Sequence, residues 1–103
     1  MAAIESILPR LASVIEELGA DVTSDAQPTH TAFSRGRLFA VLVPTTPTRV
    51  DVGLVLPDAE ETERLRPAEP FDHGHVTHVV SLAHEDEIDG ELTSWLRRAY
   101  DSA

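Results

Sequence analysis

Leu38-Phe39-Ala40-Val41-Leu42-Val43, then Pro44-Thr45-Thr46-Pro47-Thr48, then Arg49-Val50-Asp51-Val52-Gly53-Leu54-Val55-Leu56 is the stretch that decides the fold. Its first six residues are an unbroken apolar run, the pattern of a strand covered on both faces and therefore central. Two prolines in the next five residues remove backbone donors, so that segment is a turn or short loop. After it the period is two: Val50, Val52, Leu54 and Leu56 alternate with Arg49, Asp51, Gly53 and Val55, a half-buried strand. Upstream, Thr31 and Phe33 alternate with His30 and Ala32, which predicts a strand near 29–34. Ser34-Arg35-Gly36-Arg37 between the two strands is a tight turn, with Gly36 free to take a positive φ. Three strands joined by short turns form an antiparallel meander.

Helical periodicity flanks this meander. Ile4, Ile7, Leu8, Leu11, Val14, Ile15 and Leu18 make one apolar stripe, so a helix spans about 5–18, ending at Gly19. Ser6 or a residue just before it can cap the start, and Pro9 is tolerated only within the first turn. At the other end Asp86 or Asp89 caps a helix over about 89–100 whose stripe is Ile88, Leu92, Trp95, Leu96 and Ala99. Residues 57–70 are acidic and bounded by prolines, a solvated loop with room for one helical turn around 60–65. A further strand follows over about 76–82. The expectation is one α+β domain over 1–103: two layers, a mainly antiparallel meander sheet, and both terminal helices on one face. Its predicted core holds Leu11, Val14, Leu18, Phe33, Phe39, Val41, Val52, Leu54, Val80, Leu92, Trp95 and Leu96.

Composition excludes several chemistries. All eight basic residues are arginine, and the absence of lysine removes Schiff-base catalysis and lysine-dependent phosphate loops. Without cysteine there is no thiol nucleophile, disulfide or thiolate metal site. Eighteen acidic residues give a net charge of −10, which repels nucleic acid and anionic membrane surfaces. No apolar run approaches the ~20 residues of a membrane span. The opening Met-Ala-Ala-Ile-Glu-Ser has no positive region and does not read as a signal peptide, so cytoplasm is the default.

Few residues remain that could carry a function. Phe71-Asp72-His73-Gly74-His75-Val76-Thr77-His78 gathers three of five histidines. In a regular strand His75 and His78 point to opposite faces, the spacing matches no zinc motif, and no metal or cofactor is expected. Arg35 and Arg37 flank a turn and could grip a carboxylate or phosphate through guanidinium forks. The acidic pairs lack apolar enclosure, and no serine sits in a nucleophile elbow. If a small-molecule site exists, elimination places it between the 35–37 turn and the 73–78 strand entrance, on Arg35, Arg37, His73, His75 and His78. An anion bridging Arg37 and His75 would bind more tightly as pH falls through roughly 6.5.

Several strings read together add a resemblance. They are residues 32–40 (Ala-Phe-Ser-Arg-Gly-Arg-Leu-Phe-Ala), 50–57, 74–80, 88–92 and 95–100. In order and spacing, over roughly residues 4–103, the chain resembles an uncharacterised bacterial family, the domain of unknown function numbered 5655. The resemblance implies an α+β fold with a meander between terminal helices, and some relatives carry the tag of predicted transport protein. It also implies a basic residue at Arg35 or Arg37 and a Thr-His pair at Thr77 and His78. This chain has Val79 where many relatives have arginine. The function expected is a non-enzymatic binding or interaction module for a polar or anionic ligand or a protein partner, as monomer or homodimer. The alternative is a small enzyme with His75 or His78 as acid-base and Arg35 and Arg37 as anion clamp.

Overall fold

The computed structural model describes residues 4–57, 59–68 and 76–103. Helix α1 (Ile4–Glu16) is followed by strands β1 (Thr23–Ala26), β2 (Thr31–Ser34), β3 (Leu38–Thr46), β4 (Arg49–Leu54), β5 (Arg66–Pro67) and β6 (His78–Leu82). A single 3-10 turn (Glu85–Glu87) leads into helix α2 (Gly90–Ser102). All pairings are antiparallel and the strand order is β1-β2-β3-β4-β6-β5. The meander is present, β3 and β4 are central, and the chain passes from β4 to the far edge before returning as β6.

Register explains the two layers. Phe33, Ala40, Leu54 and His78 lie in one row across β2, β3, β4 and β6, and Thr31, Leu42, Val52 and Val80 in the next. These rows share a face, and their apolar members join Ile7, Leu11 and Ile15 of α1 with Leu92, Trp95, Leu96, Ala99 and Tyr100 of α2 in one core. Both helices therefore pack on the same side, each against β3 and β4. Each such large side chain, removed from water, contributes about 1.5–3 kcal/mol.

Several details differ from the sequence expectation. The line of α1 at the core is Ile7, Leu11 and Ile15, at i, i+4 spacing, so Val14 and Leu18 are only half-buried at its margin. Val41 is buried but belongs to the sheet face away from the helices, outside the main cluster. Pro9 is the sixth helical residue rather than part of the first turn. Its ring nitrogen leaves the Glu5 carbonyl without a helical donor, on an exposed residue that water reaches. Pro44 sits within β3, where a register shift between Pro44 and Thr46 absorbs the missing donor. β4 is buried on both faces, not one: Asp51 and Gly53 are buried along with Val50, Val52 and Leu54. β1 is wholly exposed and, Ala26 apart, polar, so no apolar alternation announces it; pairing to β2 makes it a strand.

Over its described residues 59–65 the acidic loop after β4 contains no helical turn. Instead the Thr62 hydroxyl accepts the N–H groups of Arg64 and Leu65, at 3.2 and 2.9 Å, and Leu65 enters the core at 1% exposure. Beside it Arg64 gathers the start of α2. Its guanidinium donates to the Asp89 and Glu91 carboxylates at 3.0 Å and to the Glu87 carbonyl, and it lies 5.7 Å from the Trp95 ring. Asp89 is the helix cap, accepting from the Leu92 N–H at 3.0 Å; that bond, then Arg64, holds its carboxyl below the usual range.

Leu65→Ala should cost about 2–5 kcal/mol in urea unfolding followed by Trp95 fluorescence, the same range as Leu96→Ala in the centre of α2. A loss under about 1 kcal/mol for Leu65→Ala would place the loop outside the cooperative core.

Candidate functional site

The 35–37 turn is fixed at both of its arginines' shared backbone and at one side chain. The Arg35 N–H donates to the Arg37 carbonyl at 2.9 Å, and Gly36 takes φ 73°, the left-handed region glycine enters without strain. The Arg35 side chain is already engaged. Its Nε donates to Asp21 Oδ2 at 2.8 Å, its Nη1 to the Tyr100 carbonyl at 3.3 Å, and its guanidinium lies 4.3 Å from the Tyr100 ring centroid. The Tyr100 hydroxyl donates to the other Asp21 oxygen at 2.6 Å. Phe39 meets the same ring edge-on at 5.8 Å. Close approach here needs Gly19, since a Cβ at that position would lie 2.0 Å from the Tyr100 hydroxyl.

These contacts set the electrostatics. The Tyr100 hydrogen bond, reinforced by Arg35, holds the Asp21 carboxyl below its ordinary range. The same carboxylate raises the Tyr100 phenol and the Arg35 guanidinium.

Arg37 differs from its neighbour. Arg10, Arg35, Arg49, Arg64 and Arg97 each pair with a carboxylate. Among the described residues Arg37, Arg66 and Arg98 have no such partner, and of these three only Arg37 lines the pocket at the end of the sheet. It is exposed, and the pocket, of about 120 Å³, lies between the start of β3 and the last turn of α2. Leu38, Val55 and Pro57 form one wall. Ala99, Ser102 and Ala103 form the other.

The strand order brings the β6 entrance to the same end of the sheet. Ala40, Leu54 and His78 share a row, so the His78 backbone lies two strand spacings, roughly 10 Å, from β3. The His78 side chain, however, is 6% exposed on the helix face, with Nδ1 2.8 Å from the Thr77 hydroxyl, and it does not line the pocket. Thr77 in turn receives the Leu56 N–H at 2.8 Å and donates to the Leu54 carbonyl at 3.2 Å, closing the end of β4. His73 and His75 lie outside the described residues. Among the described residues no group of three or more histidines and carboxylates gathers as for a metal ion. No described helix is long and apolar enough to cross a membrane.

A family model described as "Domain of unknown function (DUF5655)" matches residues 2–103. The chain belongs to the DUF5655 family. No curated protein and no solved structure matches it.

A second polar cluster of the DUF5655 chain lies on the sheet face opposite the helices. Asp51, 8% exposed at the centre of β4, accepts the hydroxyls of Thr45 and Ser81, both at 2.6 Å, and pairs with Arg49 Nε at 3.4 Å. Arg66 donates to Ser81 Oγ at 2.5 Å. Sequence alone hides this cluster, because its members come from four strands whose order the chain does not announce. Its carboxylate oxygens are already occupied, so it joins β3, β4, β6 and β5 rather than presenting an empty acceptor. Asp21, Tyr100 and the pocket walls were equally unmarked, because Gly19 and Asp21 stand 79 or more residues from the chain's single tyrosine.

Tyr100→Phe should destabilise the DUF5655 domain by an amount that depends on pH at both ends. Asp21 is depressed in the fold, so its contribution is present above the unfolded carboxylate pKa of about 3.9 and is lost as pH falls through the folded value. Tyr100 is raised, so its contribution is present below about 10 and is lost as pH rises through the folded value. Unfolding of wild type and Tyr100→Phe across pH should show a constant difference between these limits that shrinks outside them. Gly19→Ala, which displaces the hydroxyl altogether, should cost more than Tyr100→Phe.

Proposed function

We propose that the domain is a non-enzymatic binding module that captures a small anionic ligand at Arg37. The observation that carries this reading is the state of Arg37: in a chain with eighteen acidic residues it has no carboxylate partner among the described residues, and it lines an otherwise largely apolar pocket. A guanidinium in that position offers a fork of donors to a carboxylate or phosphate oxygen pair, strengthened by the low-dielectric wall beside it. Arg35 acts as a positioning residue, because its bonds to Asp21 and Tyr100 hold the turn against α2 and so hold Arg37 at the pocket.

The enzymatic alternative has less support. It needs a histidine and an arginine free to act on one substrate. His78 is buried against Thr77, and Arg35 is bound to Asp21 and Tyr100. Among the described residues no histidine shares the pocket with Arg37.

Thermal unfolding in the presence of small anions tests the proposal. A ligand at ~100 times its dissociation constant should add about 2.7 kcal/mol of stability. Arg37→Ala should weaken binding by about 10–100-fold, the range for losing a hydrogen bond to a charged group, and added salt should weaken it further. Arg98→Ala, which removes an exposed arginine of α2 that does not line the pocket, should bind as wild type does. Equal affinity in wild type and Arg37→Ala would reject the site.

A further inference from the structure

The walls of the Arg37 pocket restrict the ligand further. We propose that it is a monocarboxylate carrying a short unbranched apolar tail of about four to six carbons, bound with its carboxylate on Arg37 and its tail between β3, the end of β4 and α2. This inference rests on the Arg37 site proposed above and narrows its chemistry.

Three observations carry it. The first is the lining: five of the seven residues, Leu38, Val55, Pro57, Ala99 and Ala103, are apolar, and Ser102 is the one uncharged polar side chain. A phosphate brings at least three strong acceptor oxygens and close to two charges at neutral pH. Arg37 alone can satisfy only one pair of them, whereas a carboxylate has two oxygens and fits a single guanidinium fork completely. The second is the neighbouring helix. Ala99 and Ser102 belong to the last turn of α2 and Ala103 is its C-cap, at the end where unsatisfied carbonyls carry about half a negative charge. That end tolerates a monoanion held on the far wall by Arg37 and repels a dianion more strongly. The third is size. A cavity of roughly 150 Å³ takes up the six carbons of a benzene ring, so about 120 Å³ holds four or five carbons, with a sixth at the mouth.

Leu38, Val55 and Ala103 are each only partly buried, so they leave apolar area that a ligand tail would cover. Burial of one methylene is equivalent to about fourfold in affinity. Chain length therefore becomes the readout that separates an apolar pocket from a bare cation on a surface.

The experiment titrates the full chain, by backbone amide chemical shifts and thermal unfolding, with acetate, butanoate, pentanoate, octanoate, inorganic phosphate and 1-pentanol. Affinity should rise about fourfold per methylene from acetate to pentanoate and then level off at octanoate. Phosphate and pentanol should each bind at least tenfold more weakly than pentanoate. Arg37→Ala should lower pentanoate affinity to that of pentanol. Ser102→Trp, which fills the mouth from an exposed position, should remove the dependence on chain length while leaving the unfolding transition in place by circular dichroism. Phosphate binding as tightly as pentanoate, and losing that affinity in Arg37→Ala, would overturn the tail and keep the anion site. Pentanol matching pentanoate would overturn the carboxylate. Failure of every anion to bind, or equal anion affinity in Arg37→Ala, would overturn the site itself.

Discussion

The guanidinium of Arg35, stacked on the Tyr100 ring and bonded to an Asp21 carboxylate that also receives the Tyr100 hydroxyl, ties together three parts of the chain that are far apart in sequence. Asp21 follows α1, Arg35 lies in the turn between β2 and β3, and Tyr100 closes α2. The two helices lie on one sheet face and each packs mainly on strands, so their relative placement depends on such cross-links at the rim as much as on the core beneath. Each member limits the others. The hydroxyl needs a deprotonated carboxylate, the carboxylate needs donors to leave water, and the ring needs glycine at position 19 to come close. A turn made of arginine, glycine and arginine would otherwise be among the most mobile pieces of a small domain. Here one of its arginines is anchored, and the anchoring is what gives the other a defined place.

The sheet has a comparable device on its outer face. A carboxylate at the centre of β4 is costly unless its oxygens are paired, and the hydroxyls of Thr45 and Ser81 with the Arg49 guanidinium supply the pairing. Asp51 lies opposite Val43 on one side and Ser81 on the other. A slip of β6 by one residue would move Ser81 to the helix face and leave the carboxylate short of a donor. The polar row thus resists the register errors that a strand of alternating valines permits, since Val50, Val52, Val79 and Val80 could pair in more than one way by apolar contact alone.

How far the sequence disclosed this structure varies with the physics at each place. The meander was legible because Leu38 to Val43, the prolines after it and the alternation from Val50 to Leu56 are dictated by local sterics and burial. The helices were legible from their stripes, and the α2 cap as one of two candidates, Asp86 or Asp89, of which Asp89 takes the position. β1 was not, because Thr23, Ser24, Asp25 and Ala26 have no large apolar side chain to reveal a face and owe their conformation to pairing with β2. The anchoring of the acidic loop was not, because Leu65 is a single apolar residue among charges, and only the three-dimensional position of the core's edge gives it somewhere to go. At the site, the sequence pointed to Arg35 and Arg37 as a pair. It could not tell them apart, since the difference lies in Asp21 and Tyr100, fourteen and sixty-five residues away. For His78 the local pattern gave the strand but not which face the helices cover.

A net charge of −10 and a proposed anion site are compatible for a reason of distance. At physiological ionic strength exposed charges are screened beyond about 8 Å, so most of the eighteen carboxylates act weakly on a ligand at the end of the sheet. What counts is the nearest charge and the medium around it. Five arginines are already matched to six carboxylates, Arg64 being shared by Asp89 and Glu91, and these contacts cancel five of the six negative charges locally. Arg37 keeps its charge, next to aliphatic walls that raise the strength of a contact made there above its value in water. The acidic surface then acts on the choice of ligand rather than against binding. It penalises a second negative charge on the ligand more than the first, because one arginine compensates one charge, and it disfavours extended polyanions whose remaining charges would lie over unmatched acids. An anion suited to such a surface carries its single charge at one end and meets the rest of the site with carbon.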